Sequence, residues 1–449
     1  MSQLERHTGN VATVTYGCQM SEREADLLTE IAVQEGYQRC ADIHEADLIL
    51  INTCCVRESA ENKILGKIGE LKRLKEQRPG LKIAVSGCMV QQPDRLEWLM
   101  KRAPHVDLWT GTDQMNDFAR LLRQLDAGAV VAVIGANLAI QAEDLPVAGQ
   151  GRKQVNVNIM YGCNNFCTYC IVPYVRGRER SRSREDILAE IRTLVASGCR
   201  EVTLLGQNVN SYGLDAQWEY DFADLLQSAD RIPGIARVRF MTSHPKDLSD
   251  KLIETVAQGR SLCEHFHLPV QSGSNEILKR MNRRYTREYY LERLDKIRQR
   301  IPQASITSDM IVGFPGETEA DFQDTLDLVA QADFSQLFTF VYSRRSGTAA
   351  ATMPDQIPLE EKKRRLQTLM ALQEQKSLAW KRRLVGQTVE VMTEGVSKNN
   401  QQRLSGRTRG NELVVFPGDV QRSGEIIRVK IVDTTAWTLI ANALKCGER

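Results

Sequence analysis

Short apolar runs rich in β-branched residues alternate with amphipathic stretches over the first part of the chain. The runs have the length of buried strands, and the stretches between them repeat apolar residues at helical spacing. This alternation predicts an α/β fold with a parallel, doubly wound sheet over residues 9–126. The expected strands are Val11–Tyr16, Asp47–Ile51, Leu81–Val85 and Val106–Trp109, and the expected helices are Ser21–Glu35, Glu58–Glu76 and Gln114–Leu125.

The alternation resumes after residues 127–153, whose glycines and proline are typical of a linker. Six further strand-helix units predict a partial (βα)6 barrel, three-quarters of a closed eightfold one, over residues 154–380. Its first helix, Ile187–Ala196, has Ser183 and Asp186 in capping-box positions. The expected strands are Val155–Met160, Glu201–Leu205, Ala236–Met241, Glu264–Pro269, Ser305–Val312 and Gln336–Tyr342.

The pattern changes again near the end of the chain. A long charged helical stretch, Leu359–Leu384, is typical of a connector. Short β-runs separated by glycine turns then predict a small β-barrel over residues 383–446. The expected strands are Thr388–Thr393, Glu412–Phe416, Glu425–Ile431 and Thr438–Ala441.

Composition excludes several classes of protein. The 449 residues are 42% hydrophobic and 26% charged, which is ordinary for several soluble domains. The first ten residues are polar and no apolar run could span a bilayer, so we expect a cytoplasmic protein. Eleven cysteines in such a chain favour metal ligation or catalysis over disulfides. The net charge is only +2, but residues 381–449 carry twelve Lys or Arg against seven Asp or Glu.

Three cysteines, Cys163, Cys167 and Cys170, follow the spacing C-x3-C-x2-C. They give three ligands within one loop, and every histidine lies far away in sequence, so a local zinc site is poorly supported. Iron-sulfur clusters normally take four thiolates. Three thiolates therefore leave one iron with an open coordination position that can bind a substrate.

A second set of cysteines follows the expected N-terminal strands: Cys18, the pair Cys54 and Cys55, and Cys88. The carboxyl ends of parallel strands meet at one edge of a sheet, so these loops predict a second three-thiolate site. The alternative is that they are small buried hydrophobes. Cys54 and Cys55 compete for one ligand position, and we favour Cys54 because it is closer to the strand end. The cysteines assigned as structural are Cys40, Cys199, Cys263 and Cys446.

The loop 161–170 resembles the signature of radical S-adenosylmethionine enzymes, including an aromatic residue, Tyr169, before the last cysteine. The resemblance implies that a 4Fe-4S cluster binds S-adenosylmethionine through its open iron and cleaves it to a 5'-deoxyadenosyl radical. Small and amide residues at barrel strand ends suit hydrogen bonds to ribose and amino-acid groups. The candidate S-adenosylmethionine contacts are Tyr169, Gln207, Ser243, Gln271 and Gly313. The loop that begins at Gly313 equally fits a plain turn before a helix.

Two basic regions are candidates for binding RNA. Five arginines lie within residues 176–184, and Arg176, Arg178 and Arg180 either bind phosphates or form a solvated surface. The tail resembles the TRAM domain, an RNA-binding module, in residues 394–398 and 404–408. That resemblance implies RNA contacts, and the alternative is a packing domain with incidental charge. The candidate residues of the tail are Lys398, Arg403, Arg407 and Arg409.

Taken end to end, the chain resembles the radical S-adenosylmethionine methylthiotransferase family, and residues 16–20 and 52–54 look closest to its tRNA branch. The resemblance implies methylthiolation of C2 of N6-isopentenyladenosine at position 37 of tRNA. The cluster on Cys163, Cys167 and Cys170 would generate the radical that removes the C2 hydrogen. The cluster on Cys18, Cys54 and Cys88 would donate sulfur, and a second S-adenosylmethionine would supply the methyl group.

The implied cofactors are thus two 4Fe-4S clusters and S-adenosylmethionine. The implied partners are a tRNA anticodon stem-loop and an electron donor of the flavodoxin or ferredoxin kind. The chain departs from the family pattern at Ser21 and Cys55, and the second departure leaves one ligand in doubt. Two alternatives stay open: a sibling enzyme acting on threonylcarbamoyladenosine in tRNA or on a ribosomal-protein aspartate, and an RNA-binding iron-sulfur sensor without catalysis.

Overall fold

The computed structural model describes residues 9–55, 58–126, 131–135, 145–398, 400–419 and 422–443. The chain divides into two compact units. The first unit comprises residues 1–152, 156–164 and 170–197, and the second comprises residues 153–155, 165–169 and 198–449. Within the described residues, none of the helices is long and apolar enough to cross a membrane.

The first unit is built on a six-stranded parallel sheet in the order β2-β1-β3-β4-β5-β6. Because β1 lies between β2 and β3, the chain winds outward from it in both directions, and the doubly wound sheet is confirmed. The strands are β1 (Asn10–Thr15), β2 (Gln38–Arg39), β3 (Leu48–Thr53), β4 (Lys82–Gly87), β5 (Leu108–Thr110) and β6 (Val131–Val133). The helices are α1 (Gln19–Gln34), α2 (Glu58–Gln77), α3 (Pro93–Arg102) and α4 (Phe118–Asp126).

The helices cover both faces of this sheet. Apolar residues of α2 and α3, such as Ile68 and Leu99, pack in one core, and residues of α1 and α4, such as Leu28 and Leu121, pack in another. Every residue of β3 is buried, which agrees with its uninterrupted apolar sequence. One prediction needs correction: part of the expected linker 127–153 forms β6, which pairs with β5. Residues 127–130 and 136–144 of that stretch lie outside the described residues.

A series of strands and helices follows from residue 154. The strand β7 (Gln154–Asn158) crosses from the second unit into the first. The first unit then contains β8 (Met160–Tyr161), α5 (Val172–Arg176), β9 (Arg180–Ser181) and α6 (Arg184–Ala196). Ser183 Oγ accepts a hydrogen bond from the Asp186 amide at 3.1 Å, so the predicted cap of α6 is present.

The second unit carries the rest of the predicted barrel series. The strands β10 and β11 are parallel, and β12, β13 and β14 form a parallel sheet. The strands are β10 (Glu201–Leu205), β11 (Arg237–Phe240), β12 (His265–His267), β13 (Ser305–Val312) and β14 (Gln336–Val341). The helices are α7 (Phe222–Asp230), α8 (Asp250–Gln258), α9 (Asn275–Arg280), α10 (Arg287–Arg300), α11 (Glu319–Ala332) and α12 (Leu359–Arg382).

The tail forms a closed five-stranded barrel in the order β15-β16-β17-β19-β18 around an apolar core. Its strands are β15 (Thr388–Ser397), β16 (Asn400–Thr408), β17 (Leu413–Pro417), β18 (Ile426–Thr434) and β19 (Leu439–Ala443). The barrel class is as predicted, but β16 has no counterpart among the expected strands. Arg237 and Arg239 of β11 donate hydrogen bonds to the backbone carbonyls of Arg407 and Arg409 at 2.8 Å, which fixes β16 against the larger barrel.

Candidate active site

The cysteines of the N-terminal loops meet at the carboxyl edge of the first unit's sheet. Cys18 is hydrogen-bonded to Cys54, and Cys55 is hydrogen-bonded to Cys88. We call these four residues the auxiliary thiols. Three of them are buried and Cys18 is half-buried. The structure therefore brings both Cys54 and Cys55 to the site and leaves open which of them is the ligand.

Small residues in the loops make this approach possible. A Cβ atom on Gly17 would lie 2.6 Å from the Cβ of Cys54, so any side chain there would displace Cys54. Gly87 has a φ of +106°, and a Cβ on it would lie 2.5 Å from the Thr53 carbonyl oxygen. Asn52 fixes the first turn of α1, which follows Cys18, by donating from Nδ2 to the Ser21 carbonyl at 2.7 Å.

One buried cation acts on these thiols. The hydrogen bond with Cys54, followed by the charge of Arg176, holds the pKa of Cys18 well below its usual value, although burial opposes this. The hydrogen bond with Cys55 lowers the pKa of Cys88, and Arg176 adds to that effect against burial. The hydrogen bond with Cys88 and burial raise the pKa of Cys55. The lowered pKa values of Cys18 and Cys88 act in the direction of the thiolate, which is the form that binds metal.

The auxiliary thiols supply the donor atoms that an iron-sulfur cluster takes. In a 4Fe-4S cluster each thiolate binds a different iron, so ligands from separate loops can hold it. Three such thiolates leave one iron with an open coordination position.

Each cysteine of the loop 161–170 belongs to one of the two units. Cys163 and Cys170 belong to the first unit, where the Cys163 amide donates to the Gly177 carbonyl at 3.1 Å. Gly162, before it, has a φ of +75°, and a Cβ there would lie 2.0 Å from the Arg178 carbonyl oxygen. Only glycine fits such a backbone position.

Cys167 belongs to the second unit, where residues 165–169 are held by the chain that follows α9. The Thr168 amide donates to the Met281 carbonyl at 3.1 Å, and Asn282 Nδ2 donates to the Phe166 carbonyl at 3.0 Å. Arg283 donates from Nη1 to Cys167 Sγ at 3.4 Å. These contacts fix one of the three cysteine ligands relative to the barrel loops of the second unit.

Three of the predicted strand-end residues of the second unit have polar atoms without a hydrogen-bond partner among the described residues. Gln207 Oε1, Ser243 Oγ and Gln271 Oε1 are buried and accept no hydrogen bond from any described residue. Gln271 has a φ of +74°, a strained conformation for a residue other than glycine. Buried oxygens without partners, which are costly in an empty protein, fit a polar ligand such as S-adenosylmethionine.

Tyr169 and Gly313, the other two predicted contacts, have different surroundings from these three residues. Tyr169 packs against an apolar cluster that includes Phe314. The Gly313 amide donates to Glu317 Oε1 at 2.8 Å, and a Cβ on Gly313 would lie 2.3 Å from Lys362 Cγ. This amide is thus engaged within the loop, and the glycine makes room for Lys362.

Two residues of this site were not predicted. Arg283 is buried and also donates to the Pro269 carbonyl at 2.5 Å. His244 is buried, and burial followed by the charge of Arg283 holds its pKa far below the usual value, so the ring is neutral. Its Nδ1 accepts from the Lys246 amide at 3.3 Å, which leaves the proton on an Nε2 that has no described partner. His244 directly follows the predicted contact Ser243 in the loop after β11, whereas nothing in the sequence marks Arg283.

Some of the predicted RNA-binding residues are open to solvent, and others are paired with acidic side chains of the protein. In the tail, Lys398 is exposed and Arg403 is half-buried, whereas Arg407 pairs with Glu394. Arg409 donates to Glu264 from Nη2 at 2.8 Å and to the Leu262 carbonyl.

The arginines after the cysteine loop lie in the first unit. Arg178 is exposed and Arg180 is half-buried. Arg176 has only 5% of its side chain exposed and is paired with Glu24, so its burial does not fit the predicted contact with RNA.

Three family models match this chain. Residues 157–329 match the radical SAM superfamily, residues 10–111 match the uncharacterized protein family UPF0004, and residues 382–444 match the TRAM domain. Among solved structures, the radical S-adenosylmethionine methyltransferase TsrM from Kitasatospora setae, with cobalamin and a 4Fe-4S cluster bound, aligns with a TM-score of 0.57 at 14% identity. That alignment covers 76% of this chain and 74% of TsrM, and shows the fold.

Curated relatives extend over nearly the whole chain. The tRNA-2-methylthio-N(6)-dimethylallyladenosine synthase of Desulfitobacterium hafniense is 63% identical over 429 residues, covering 96% of both chains. The enzyme of the same name from Moorella thermoacetica is 51% identical over 427 residues, covering 95% of this chain and 96% of that one.

The barrel, its C-x3-C-x2-C loop and the unsatisfied polar atoms at its strand ends define a radical S-adenosylmethionine enzyme with a second thiol site and a TRAM tail. Sequence identity to the two curated synthases over almost the full length points to one family within this class. The chain belongs to the family of the tRNA-2-methylthio-N(6)-dimethylallyladenosine synthases.

Proposed function

We propose that this protein is a tRNA methylthiotransferase that converts N6-isopentenyladenosine at position 37 of tRNA to its 2-methylthio derivative. The observation that carries the proposal is 63% identity over 96% of the chain to a synthase whose name states this product. The two thiol sites supply what the reaction needs, because the hydrogen on an adenine C2 cannot be removed by an acid or base side chain at neutral pH.

The radical cluster would be held by Cys163, Cys167 and Cys170, and when bound it supplies reductive cleavage of S-adenosylmethionine to a 5'-deoxyadenosyl radical. Residues of the chain itself would bind S-adenosylmethionine and orient the cysteine ligands. Arg283 orients Cys167 through its hydrogen bond. The candidate S-adenosylmethionine acceptors are Gln207, Ser243 and Gln271, whose buried oxygens lack partners.

The auxiliary cluster would be held by Cys18, Cys88 and one of Cys54 and Cys55, with Cys54 favoured for its position directly after β3. When bound, it supplies the sulfur that reaches C2. A second S-adenosylmethionine would supply the methyl group. The residues around it keep the thiols close together: Gly17 leaves room for Cys54, and the Thr53 carbonyl accepts from the Cys88 amide at 3.2 Å.

The partner would be the anticodon stem-loop of a tRNA that carries isopentenyladenosine, reached in the cytoplasm and bound in part by the TRAM barrel. Of the four candidate residues in the tail, Lys398 is exposed and Arg403 is half-buried, and both would contact phosphates. A low-potential donor of the flavodoxin or ferredoxin kind would reduce the clusters.

The direct test is reconstitution. Protein loaded anaerobically with iron and sulfide is incubated with S-adenosylmethionine, a strong reductant and tRNA that contains isopentenyladenosine, and the nucleosides are analysed by mass spectrometry. We expect the 2-methylthio nucleoside from the wild-type protein and none from Cys88→Ala. Undiminished product from Cys88→Ala would refute the two-cluster mechanism.

A further inference from the structure

Arg176 lies at the auxiliary thiols because of how its helix packs. It is the last residue of α5, which begins two residues after Cys170. Ile171 and Val175 pack in the same apolar core as Cys55 and Cys88. The Val175 carbonyl accepts a hydrogen bond from Thr112 Oγ1 at 2.7 Å, just past the end of β5. The helix is therefore fixed at the sheet edge that carries the thiols.

The guanidinium of Arg176 is buried together with its counterion. Its side chain is 5% exposed and that of Glu24 is 2% exposed. Both terminal nitrogens donate to the Glu24 carboxylate, one of them at 2.9 Å. Desolvating such a pair costs about as much as the attraction returns, so apolar residues would stabilise this core equally well. An ion pair kept here calls for another explanation.

The thiols provide that explanation. Arg176 ends the helix whose Ile171 and Val175 pack in one core with Cys55 and Cys88, so its buried positive charge stands beside the auxiliary thiols. Three thiolates outweigh the positive charge of a 4Fe-4S core, so the bound cluster is a buried net anion, and reduction makes it more negative. A fixed positive charge beside it stabilises the reduced form, and a fixed negative charge does the reverse.

We propose that Arg176 is a positioning residue that balances the charge of the auxiliary cluster and raises its reduction potential, while Glu24 holds the guanidinium in place and moderates its effect. The inference rests on the proposed function, because it requires a cluster on the auxiliary thiols. It gives the Arg176–Glu24 pair a role in the ease with which this cluster accepts an electron.

The test uses the full chain with Cys163, Cys167 and Cys170 replaced by alanine, so that only the auxiliary cluster is loaded. Its reduction potential is measured by EPR-monitored titration in four forms: without further change, with Arg176→Gln, with Glu24→Gln, and with both. A matched control is Arg152→Gln, because Arg152 also pairs with a carboxylate of α1, Asp26, at 2.7 Å but is 52% exposed.

We expect Arg176→Gln to shift the potential to more negative values, Glu24→Gln to shift it to more positive values, and the double variant to lie between them. Arg152→Gln should leave it unchanged. A purely structural role would move both single variants in the same direction or neither, and that result would overturn the inference while leaving the two-cluster proposal intact. If the protein with only the three alanine replacements binds no iron on reconstitution, both the inference and the two-cluster proposal are overturned.

Discussion

Arg283 Nη1 lies 3.4 Å from Cys167 Sγ, and the same guanidinium donates to the Pro269 carbonyl near the start of the loop after β12. One buried side chain thus joins a cluster ligand to the barrel loop that carries Gln271. Hydrogen bonds to a ligand sulfur help to set the reactivity of an iron-sulfur cluster. Arg283 is therefore the positioning residue that we would test first in the second unit.

We expect Arg283→Gln to reduce reductive cleavage of S-adenosylmethionine at least about tenfold, because a charged hydrogen bond of this kind contributes roughly 1.5–3 kcal/mol. The measurement is 5'-deoxyadenosine formation under a strong reductant. Arg284→Gln is the control, since its neighbour Arg284 is exposed. Equal losses in the two variants would show that the contact with Cys167 is unimportant.

Gly17→Ala tests the packing of the auxiliary thiols. The added Cβ would lie 2.6 Å from the Cβ of Cys54, so Cys54 must move. We expect reconstituted iron to fall from roughly eight to about four per chain, with cleavage of S-adenosylmethionine retained and the methylthio product lost. Gly66→Ala in α2 is the matched control, because no atom lies within 4 Å of its added Cβ. That change should retain the iron and stabilise the helix by about 0.5–1 kcal/mol. Full iron in Gly17→Ala would contradict the packing account.

The choice between Cys54 and Cys55 can be made by single replacements. We expect Cys54→Ala to lose the auxiliary iron and the methylthio product, whereas Cys55→Ala keeps both, because Cys54 directly follows β3 and is paired with Cys18. Iron content and product formation are measured on both variants. The reverse pattern would assign the ligand to Cys55.

The hydrophobic pattern of the sequence predicted strands correctly where most of the strand's residues are buried. The strands Glu201–Leu205 and Ser305–Val312 have the predicted bounds, since their buried faces leave one plausible register. β16 was missed because Asn400–Thr408 is mostly polar, and only three of its nine residues, Leu404, Gly406 and Thr408, are buried. Its position depends on pairing with β15 and β17, which are distant contacts that local pattern does not show.

The site was predictable only in part for the same reason. Strand-end position indicated Cys18, the pair Cys54 and Cys55, and Cys88 as candidates, because that signal is local in sequence. The roles of Arg176 and Arg283 depend on partners far along the chain, Glu24 and Cys167. A run of arginines looks like a solvated surface until the structure shows which guanidinium is buried.

Cys199 offers a test of the electrostatics by pH. Burial raises its pKa to about 11, and the thiol donates to the Glu201 carbonyl at 3.2 Å. Because a raised pKa favours the unreactive thiol, we expect very slow alkylation by iodoacetamide at pH 8, rising about tenfold per pH unit up to pH 10. Peptide mass spectrometry measures the modified fraction, with urea-unfolded protein as the reference. Native and unfolded protein reacting equally fast at pH 8 would contradict the burial of this thiol.

Lys398, which is exposed, and Arg403, which is half-buried, should act on RNA through charge. We expect Lys398→Gln and Arg403→Gln each to weaken tRNA binding and to lower the salt dependence by about one unit of slope. Arg409→Gln should leave the slope unchanged, since its guanidinium is bound to Glu264. Binding is measured over a series of salt concentrations. A large change of slope in Arg409→Gln alone would place the RNA on another face of the barrel.

Nucleoside mass spectrometry of total tRNA, from cells with and without this gene, tests the central claim most directly. The account predicts that loss of the gene removes the 2-methylthio form and leaves N6-isopentenyladenosine to accumulate, and that the wild-type gene, but not its Cys163→Ala form, restores the product. Unchanged tRNA nucleosides in the cells without the gene would contradict the assignment to tRNA.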